Sequence, residues 1–342
     1  MKINMKLSRY LAISRDLAPA KFMIAKCIEV EEFNGLELNE LWEIHNKILK
    51  KVDFDDFDFN NLEFVKPNLL DLKVEIAKRI FRNCHFCEHR CYANREFERG
   101  FCRIKESYYS TEFLHLGEER VLVPSHTIFF CGCNFKCVFC QNWDISQVYF
   151  DTTIPNHCIP YNPKEMAKII KHKRDYSKNV NFVGGDPTPH LLSILKTLNY
   201  LDKNIPVVWN SNMYLTVKGM YLLKGVVDVY LTDFKFGNNE CGERLSKVKN
   251  YFDIVGRNHL LIKDEEVIIR HLVMPNHLDC CTERIFDFIS KNLDNAVVNV
   301  MFQYRPEYKA KEYPDINRRL TYDEIEKALE LAEEYKLDLI YD

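Results

Sequence analysis

From about residue 120 onward, short apolar runs alternate with amphipathic stretches, and that alternation limits the fold more than any other feature. The runs "HTIFF", "VNFV", "PVVW", "VDVYLTD", "VIIRHLV" and "VVNVMFQY" have strand length and are rich in Val, Ile, Phe and Tyr. Among them lie "PKEMAKIIKHKR", "HLLSILKTLNYL", "TERIFDFISKNL" and "TYDEIEKALELAEEY", whose apolar residues recur at helical spacing, and a short apolar "LDLIYD" follows the last. About six βα units in this order predict an α/β fold with a parallel sheet, laid open or curled into a partial (β/α)6 barrel. Such folds bind ligands at the carboxyl ends of their strands.

The upstream sequence differs. Residues 1–80 read as a helical N-terminal extension ("LNELWEIHNKILKKV"), interrupted by the acidic, Phe-rich "DFDDFDFNNLEF". Residues 81–119 form a Cys-rich segment, and residues 120–342 the barrel. With 46% hydrophobic and 28% charged residues, a sizeable core can be buried. A net charge of −3 gives no basic surface for nucleic acid. No apolar run is long enough for a bilayer, and "MKINMKLSRYLAISRD" lacks the apolar core of a signal peptide. The expectation is a cytoplasmic protein without nucleic-acid or membrane partners.

That location decides how 13 cysteines are read. In a reducing compartment, clustered cysteines bind metal or do redox chemistry more often than they form disulfides. "CGCNFKCVFC", residues 131–140, directly follows the first strand, which sets its loop at the carboxyl end of the sheet. Cys133, Cys137 and Cys140 have spacing C-x3-C-x2-C. Three thiolates on a short loop can hold three irons of a cubane cluster and leave the fourth without a protein ligand. Cys131 is the odd one out, with its side chain toward the sheet. A structural zinc would need a fourth ligand, for which Cys131 or His126 could serve.

Cys84, Cys87, Cys91 and Cys102 make a second run, C-x2-C-x3-C-x10-C, dense enough to share a metal. Zinc and a second [4Fe–4S] cluster both accept four thiolates, and His85, His89, Arg90, Arg95 and Arg103 would offset the charge of either. Zinc is preferred because the run precedes the first barrel strand, as in a small knuckle. Cys27, Cys158, Cys241, Cys280 and Cys281 read as small buried hydrophobes.

The C-x3-C-x2-C loop, with Phe139 before its last cysteine, resembles the radical S-adenosylmethionine (SAM) superfamily. "FVGGDPTPH" is similar to its Gly-Gly-Glu segment, with Asp186 where the family has Glu, and "YLTDFKF" and "IIRHLVMPNH" resemble segments of the pyruvate formate-lyase activating enzyme branch. The resemblance implies a [4Fe–4S] cluster on Cys133, Cys137 and Cys140 whose open iron binds SAM. Cleavage of SAM would give a 5′-deoxyadenosyl radical that abstracts hydrogen from a protein, peptide or small-molecule substrate. It further implies that Gly184, Gly185 and Asp186 receive the SAM amino group, and that Lys235 and His271 bind its carboxylate. Asp233 would hold a monovalent cation, and Asn210 and Asn212 would contact ribose or carboxylate. An electron donor such as ferredoxin or flavodoxin is implied as partner. The sequence assigns no acid–base residue. The other function class is a non-catalytic iron–sulfur electron carrier or redox sensor, which would need no SAM cradle.

Overall fold

The structure, a computed structural model, describes residues 5–147 and 155–340; the last two residues of "LDLIYD" lie outside them. Eight strands form one sheet: β1 (Tyr108–His115), β2 (Ser125–Phe130), β3 (Ile159–Pro160), β4 (Asn179–Gly184), β5 (Val207–Ser211), β6 (Val229–Asp233), β7 (Glu266–Leu272) and β8 (Ala296–Met301). Their order is β3-β1-β2-β4-β5-β6-β7-β8. From β2 to β8 all pairings are parallel, whereas β1 pairs antiparallel with β2 and β3. The expected parallel strands are therefore present, and the sheet runs on past β2 in an antiparallel edge that the sequence reading did not foresee. β1 interrupts its aromatic and apolar residues with Ser110, Thr111 and Glu112, and only Tyr108 is buried, so it carries no continuous apolar run.

The central strands are buried on both faces; every residue of β5 is buried. Helices α5 (Pro163–Lys173), α6 (Leu191–Tyr200), α7 (Val217–Leu223), α8 (Asn239–Ser246), α9 (Tyr251–Leu261), α10 (Glu283–Asn292) and α11 (Tyr322–Glu334) follow or separate the parallel strands. Local chemistry starts them. Asn162 accepts from the Lys164 and Glu165 amides ahead of Pro163, and Lys171, His172 and Lys173 lie at the other end of α5. Thr321 and Glu324 form a capping box at the start of α11.

Upstream are α1 (Ser8–Ser14), α2 (Lys21–Ala25), α3 (Leu38–Leu49) and α4 (Leu69–Arg82). Their placement is not all at the ligand-binding end. Leu7 and Tyr10 join Val208, Val229, Leu231, Ile268, Val297 and Ile340 in one apolar cluster. Glu266, at the start of β7, accepts from the Arg9 and Tyr10 amides at 2.7 and 2.8 Å. Asp228, just before β6, accepts from the Lys21 and Val207 amides. The first two helices thus close the amino end of the barrel, opposite the cysteine loop, while α4 packs beside α6 and leads into Cys84. Among the described residues no helix is long and apolar enough to cross a membrane.

Candidate functional site

A cavity of about 250 Å³ opens at the carboxyl ends of β4 to β8. Cys133, Cys137, Phe139, Cys140, Gly184, Gly185, Asp186, Asn210, Asn212, Asp233 and Lys235 all line it. The loop after β2, the turn after β4 and the ends of β5 and β6 therefore converge on one space. His271 does not reach it.

The cysteine loop is held from outside by hydrogen bonds that face its sulfurs. The Phe135 amide donates to Cys133 Sγ at 3.2 Å, Ser246 Oγ lies 3.0 Å from Cys137 Sγ, and Ser146 Oγ lies 3.1 Å from Cys140 Sγ. Its backbone docks on the end of α8, with Lys136 and Val138 amides donating to the carbonyls of Ser246 and Leu245. Burial pushes all three thiols up, Cys137 to about 12; the Asp186 and Cys137 charges add to it at Cys133, and Cys140 adds to it at Cys137. Three thiols around one cavity, Cys133 buried and Cys137 and Cys140 half-buried, gain by ionising when a cation joins them, which is the donor chemistry of an iron–sulfur cluster.

Gly184 and Gly185 are required by a close approach of backbone to backbone. At Gly184 φ is +121°, and a Cβ would stand 2.1 Å from the Phe130 nitrogen; at Gly185 it would stand 2.0 Å from the Gly132 carbonyl oxygen. The Gly185 and Asp186 amides donate to the carbonyls of Phe130 and Gly132. The pair thus seats the turn against the root of the cysteine loop. Asp186 is buried, and burial raises its pKa. One of its oxygens accepts from the Thr188 amide at 2.9 Å, the other from Ser211 Oγ and the Asn212 amide at 3.0 and 2.9 Å. Its carboxylate ties the turn to the end of β5, a use that the resemblance to a Glu-bearing segment does not imply.

Lys235 Nζ lies 2.5 Å from Asp233 Oδ2. Burial lowers the lysine pKa, but the Asp233 carboxylate and nearby Cys137 outweigh it, and the net shift is upward. Asn212 donates to Asn134 Oδ1 at 2.7 Å, beside Cys133. Phe139 packs edge-on against Phe236 and tilted against Tyr304.

His271 is where the structure departs furthest from expectation. Its Nδ1 is 2.8 Å from the Phe234 carbonyl and its Nε2 2.9 Å from Thr282 Oγ1, so both ring nitrogens are engaged behind the sheet. Burial pulls its pKa down to about 4. The reason is strand parity: Asp233 pairs with Arg270, so Arg270 and Leu272 face the cavity and His271 faces away. Arg270 makes two 2.7 Å bonds to Glu119 and an ion pair with Glu118, both from the turn between β1 and β2. The sequence reading missed this trio, although counting alternate residues back from Leu272 points to Arg270.

Cys131 and His126 are not recruited. Cys131 is disulfide-bonded to Cys158, within a small cluster with Cys102, Ile104 and Tyr108. His126 Nε2 pairs with Glu112 at 2.7 Å. Cys158 is buried among apolar residues, as expected of a small hydrophobe, but its bond to Cys131 was not foreseen.

The second cysteine run folds against the first. Cys84, Cys87, Cys91 and Cys102 interact electrostatically, and burial followed by its three cysteine neighbours pushes the Cys87 thiol well up. His89 stacks on Phe101 and its Nε2 lies 2.7 Å from the Asn134 carbonyl, next to Cys133. Lys136 feels both Cys133 and Cys102. Among the described residues the only His/Cys/Asp/Glu group with ligand atoms all within 4.8 Å of one another is Cys241, His277 and Cys280. A zinc–thiolate tetrahedron with bonds of 2.3 Å sets sulfurs about 3.8 Å apart. Neither cysteine run is that tight.

A parallel α/β half-barrel with a three-cysteine loop at its mouth defines the class, and the radical SAM superfamily sequence model matches residues 127–289. The chain belongs to the radical SAM superfamily, whose cofactors are a [4Fe–4S] cluster and SAM. It is 93% identical over 338 residues to the uncharacterized protein MJ0674 of Methanocaldococcus jannaschii, covering 99% of this chain and all of that one. A second protein of that organism, MJ0808, is 23% identical over 284 residues, 75% of this chain and 80% of its own. Among solved structures, Streptococcus suis SuiB bound to S-adenosylmethionine is similar at 15% identity and a TM-score of 0.44. That match covers 61% of this chain and about half (48%) of the longer SuiB chain.

Proposed function

We propose that the protein is an enzyme that reductively cleaves SAM, with Cys133, Cys137 and Cys140 as the only protein ligands of the cluster. The observation that carries this reading is the convergence of those three thiols with Lys235, Asp233 and Asn210 on one cavity. When bound, the cluster with SAM supplies the electron that breaks a sulfur–carbon bond and yields a 5′-deoxyadenosyl radical for hydrogen abstraction. The chain's own residues hold and shield. Lys235 offers a cation for the SAM carboxylate, Asp233 anchors that cation, and Asn210 presents its amide to polar ligand atoms. Phe135, Phe139 and Leu272 keep the wall apolar, which suits radical chemistry by withholding water. His271 acts through the loop it braces and not on the ligand.

The Cys84, Cys87, Cys91 and Cys102 quartet is read as a second, relay cluster in preference to zinc, because its sulfurs are too open for one zinc and its loop abuts Cys133. Electron donor and substrate belong to the same proposal: a ferredoxin- or flavodoxin-type donor, and a protein, peptide or small molecule that yields hydrogen. A pure electron carrier has no use for the cavity and its Lys235–Asp233 pair. Anaerobic reduction of the loaded protein with SAM tests the choice. Release of 5′-deoxyadenosine and methionine, lost in Cys137→Ala, supports the enzyme; reversible reduction with intact SAM sinks it.

A further inference from the structure

We propose a third metal site, a structural zinc held by Cys241, His277 and Cys280 with Cys281 as fourth ligand, which clamps the loops after β6 and β7 together. The three ligand atoms of Cys241, His277 and Cys280 already lie within 4.8 Å of one another without a metal to draw them in. Cys281 Sγ lies just outside that group, 3.7 Å from Cys280 Sγ, near enough to turn in as the fourth ligand. Three sulfurs and one imidazole match a closed tetrahedral zinc site, which needs no open position.

Two further features point to a ligand. His277 Nδ1 lies 2.7 Å from the Pro275 carbonyl, which fixes the proton there and leaves the Nε2 lone pair outward. A metal-binding histidine commonly donates its other N–H to a carbonyl in this way. Asn238 Nδ2 reaches Cys241 Sγ at 3.3 Å and the Cys280 carbonyl at 2.9 Å, while its Oδ1 caps α8 through the Cys241 amide at 2.7 Å. One side chain thus supports two of the sulfur-bearing segments. Arg244, paired with Asp315, donates to Nε2 at 3.2 Å and is the group a cation would displace. The Arg244 guanidinium beside the site would still offset part of the negative charge of three thiolates on one zinc. Binding releases the three thiol protons to solvent, and no oxidation is involved.

The site has a place in the architecture. Cys241 lies in the first turn of α8, and the last residues of that helix carry the cysteine loop through Leu245 and Ser246. Cys280 and Cys281 lie on the irregular helical turn Leu278–Thr282, whose Thr282 braces His271. A cation here would lock the two loops that flank Lys235 without touching the cavity, so the site stands independently of the SAM reading.

Metal analysis of protein made anaerobically with zinc supplied tests the assignment. The parent should hold about one zinc per chain that Cys241→Ser and Cys280→Ser both lose, with iron unchanged, while Cys27→Ser keeps it. Cobalt(II) in place of zinc should give the intense ligand-field absorption of a tetrahedral thiolate complex, absent from the same variants. Should the buried Cys241→Ser fail to fold, the half-buried Cys280→Ser decides alone. A parent without zinc, or equal zinc in the parent and in each folded variant, overturns the site.

Discussion

Lys235 and Asp233 close on each other at the edge of the cavity, Nζ to Oδ2 at 2.5 Å, while His271 on the next strand turns its ring away. Two residues that the sequence suggests as equal partners thus have different work. Lys235→Ala should weaken SAM binding by roughly 10- to 100-fold, the equivalent of one charge-assisted hydrogen bond at about 1.5–3 kcal/mol. His271→Ala should lower stability by about 1–3 kcal/mol, because it leaves Thr282 and the Phe234 carbonyl unpaired, and change SAM affinity much less. Titration calorimetry beside chemical denaturation checks both. Equal loss of affinity in the two variants would contradict the parity argument.

Cys131 sits two residues before Cys133 yet is bonded to Cys158. Alanine at Cys133, Cys137 or Cys140 should abolish SAM cleavage and lower iron content. Cys131→Ala should keep both, losing only what the disulfide contributes to stability. Iron analysis and 5′-deoxyadenosine assay of the four variants are sufficient, and a Cys131 variant without cluster would refute the three-ligand set.

Gly185→Ala puts a methyl group 2.0 Å from the Gly132 carbonyl oxygen, a backbone atom that cannot rotate aside. We expect a destabilisation of roughly 3 kcal/mol, with poor cluster loading because the displaced segment is the root of the cysteine loop. Denaturation midpoints and iron content measure it, and a variant as stable and as well loaded as the parent would exclude the tight-seat reading.

The Glu118–Glu119–Arg270 trio predicts an acid-labile barrel. Burial raises the Glu118 pKa, but the Arg270 charge and hydrogen bonds outweigh it and bring it down to about 2. A depressed carboxylate stabilises above its unfolded pKa and loses that contribution as pH falls through the folded value. Between about pH 4.5 and 2 roughly 3 kcal/mol should disappear. Glu119→Gln, which breaks a two-pronged contact to a buried guanidinium, should cost about 3–5 kcal/mol at neutral pH. Unfolding free energies against pH give the slope, which should flatten in Glu118→Gln.

Protein lacking Cys133, Cys137 and Cys140 isolates the quartet. Prepared anaerobically, it should retain about four irons and a brown chromophore. About one additional zinc in place of those irons would return the quartet to the knuckle reading.

The parallel strands and the cavity-lining cysteines were legible because each is a local pattern: an apolar run of strand length, a fixed spacing, a loop directly after a strand. β1 was not, because it is an edge strand with only Tyr108 buried and polar residues in its middle, which gives no run to see. The orientation of His271 was missed because it depends on which strand pairs with Asp233, and in what register. Asp186 lines the cavity, but the hydroxyl and amides that engage it come from Ser211, Asn212 and Thr188, two of them at another strand's end, contacts that no local pattern announces. The Cys241–His277–Cys280 group was invisible for a related reason: Cys241 is far in sequence from the other two, and the spacing of "HLDCC" alone carries no signature.

The stopper formed by the first helices has a kinetic consequence. Lys6 pairs with Asp338 at 2.6 Å and Tyr10 docks on Glu266, so segments far apart in the chain must find each other before the stopper is seated. Contacts that span most of a chain are slow to form, and until they do the apolar base of the sheet is open to neighbouring molecules. The matched stretch 127–289 is thus a unit of ancestry but not of folding: expressed alone, it would leave Val208, Val229 and Ile268 without a cover and should aggregate.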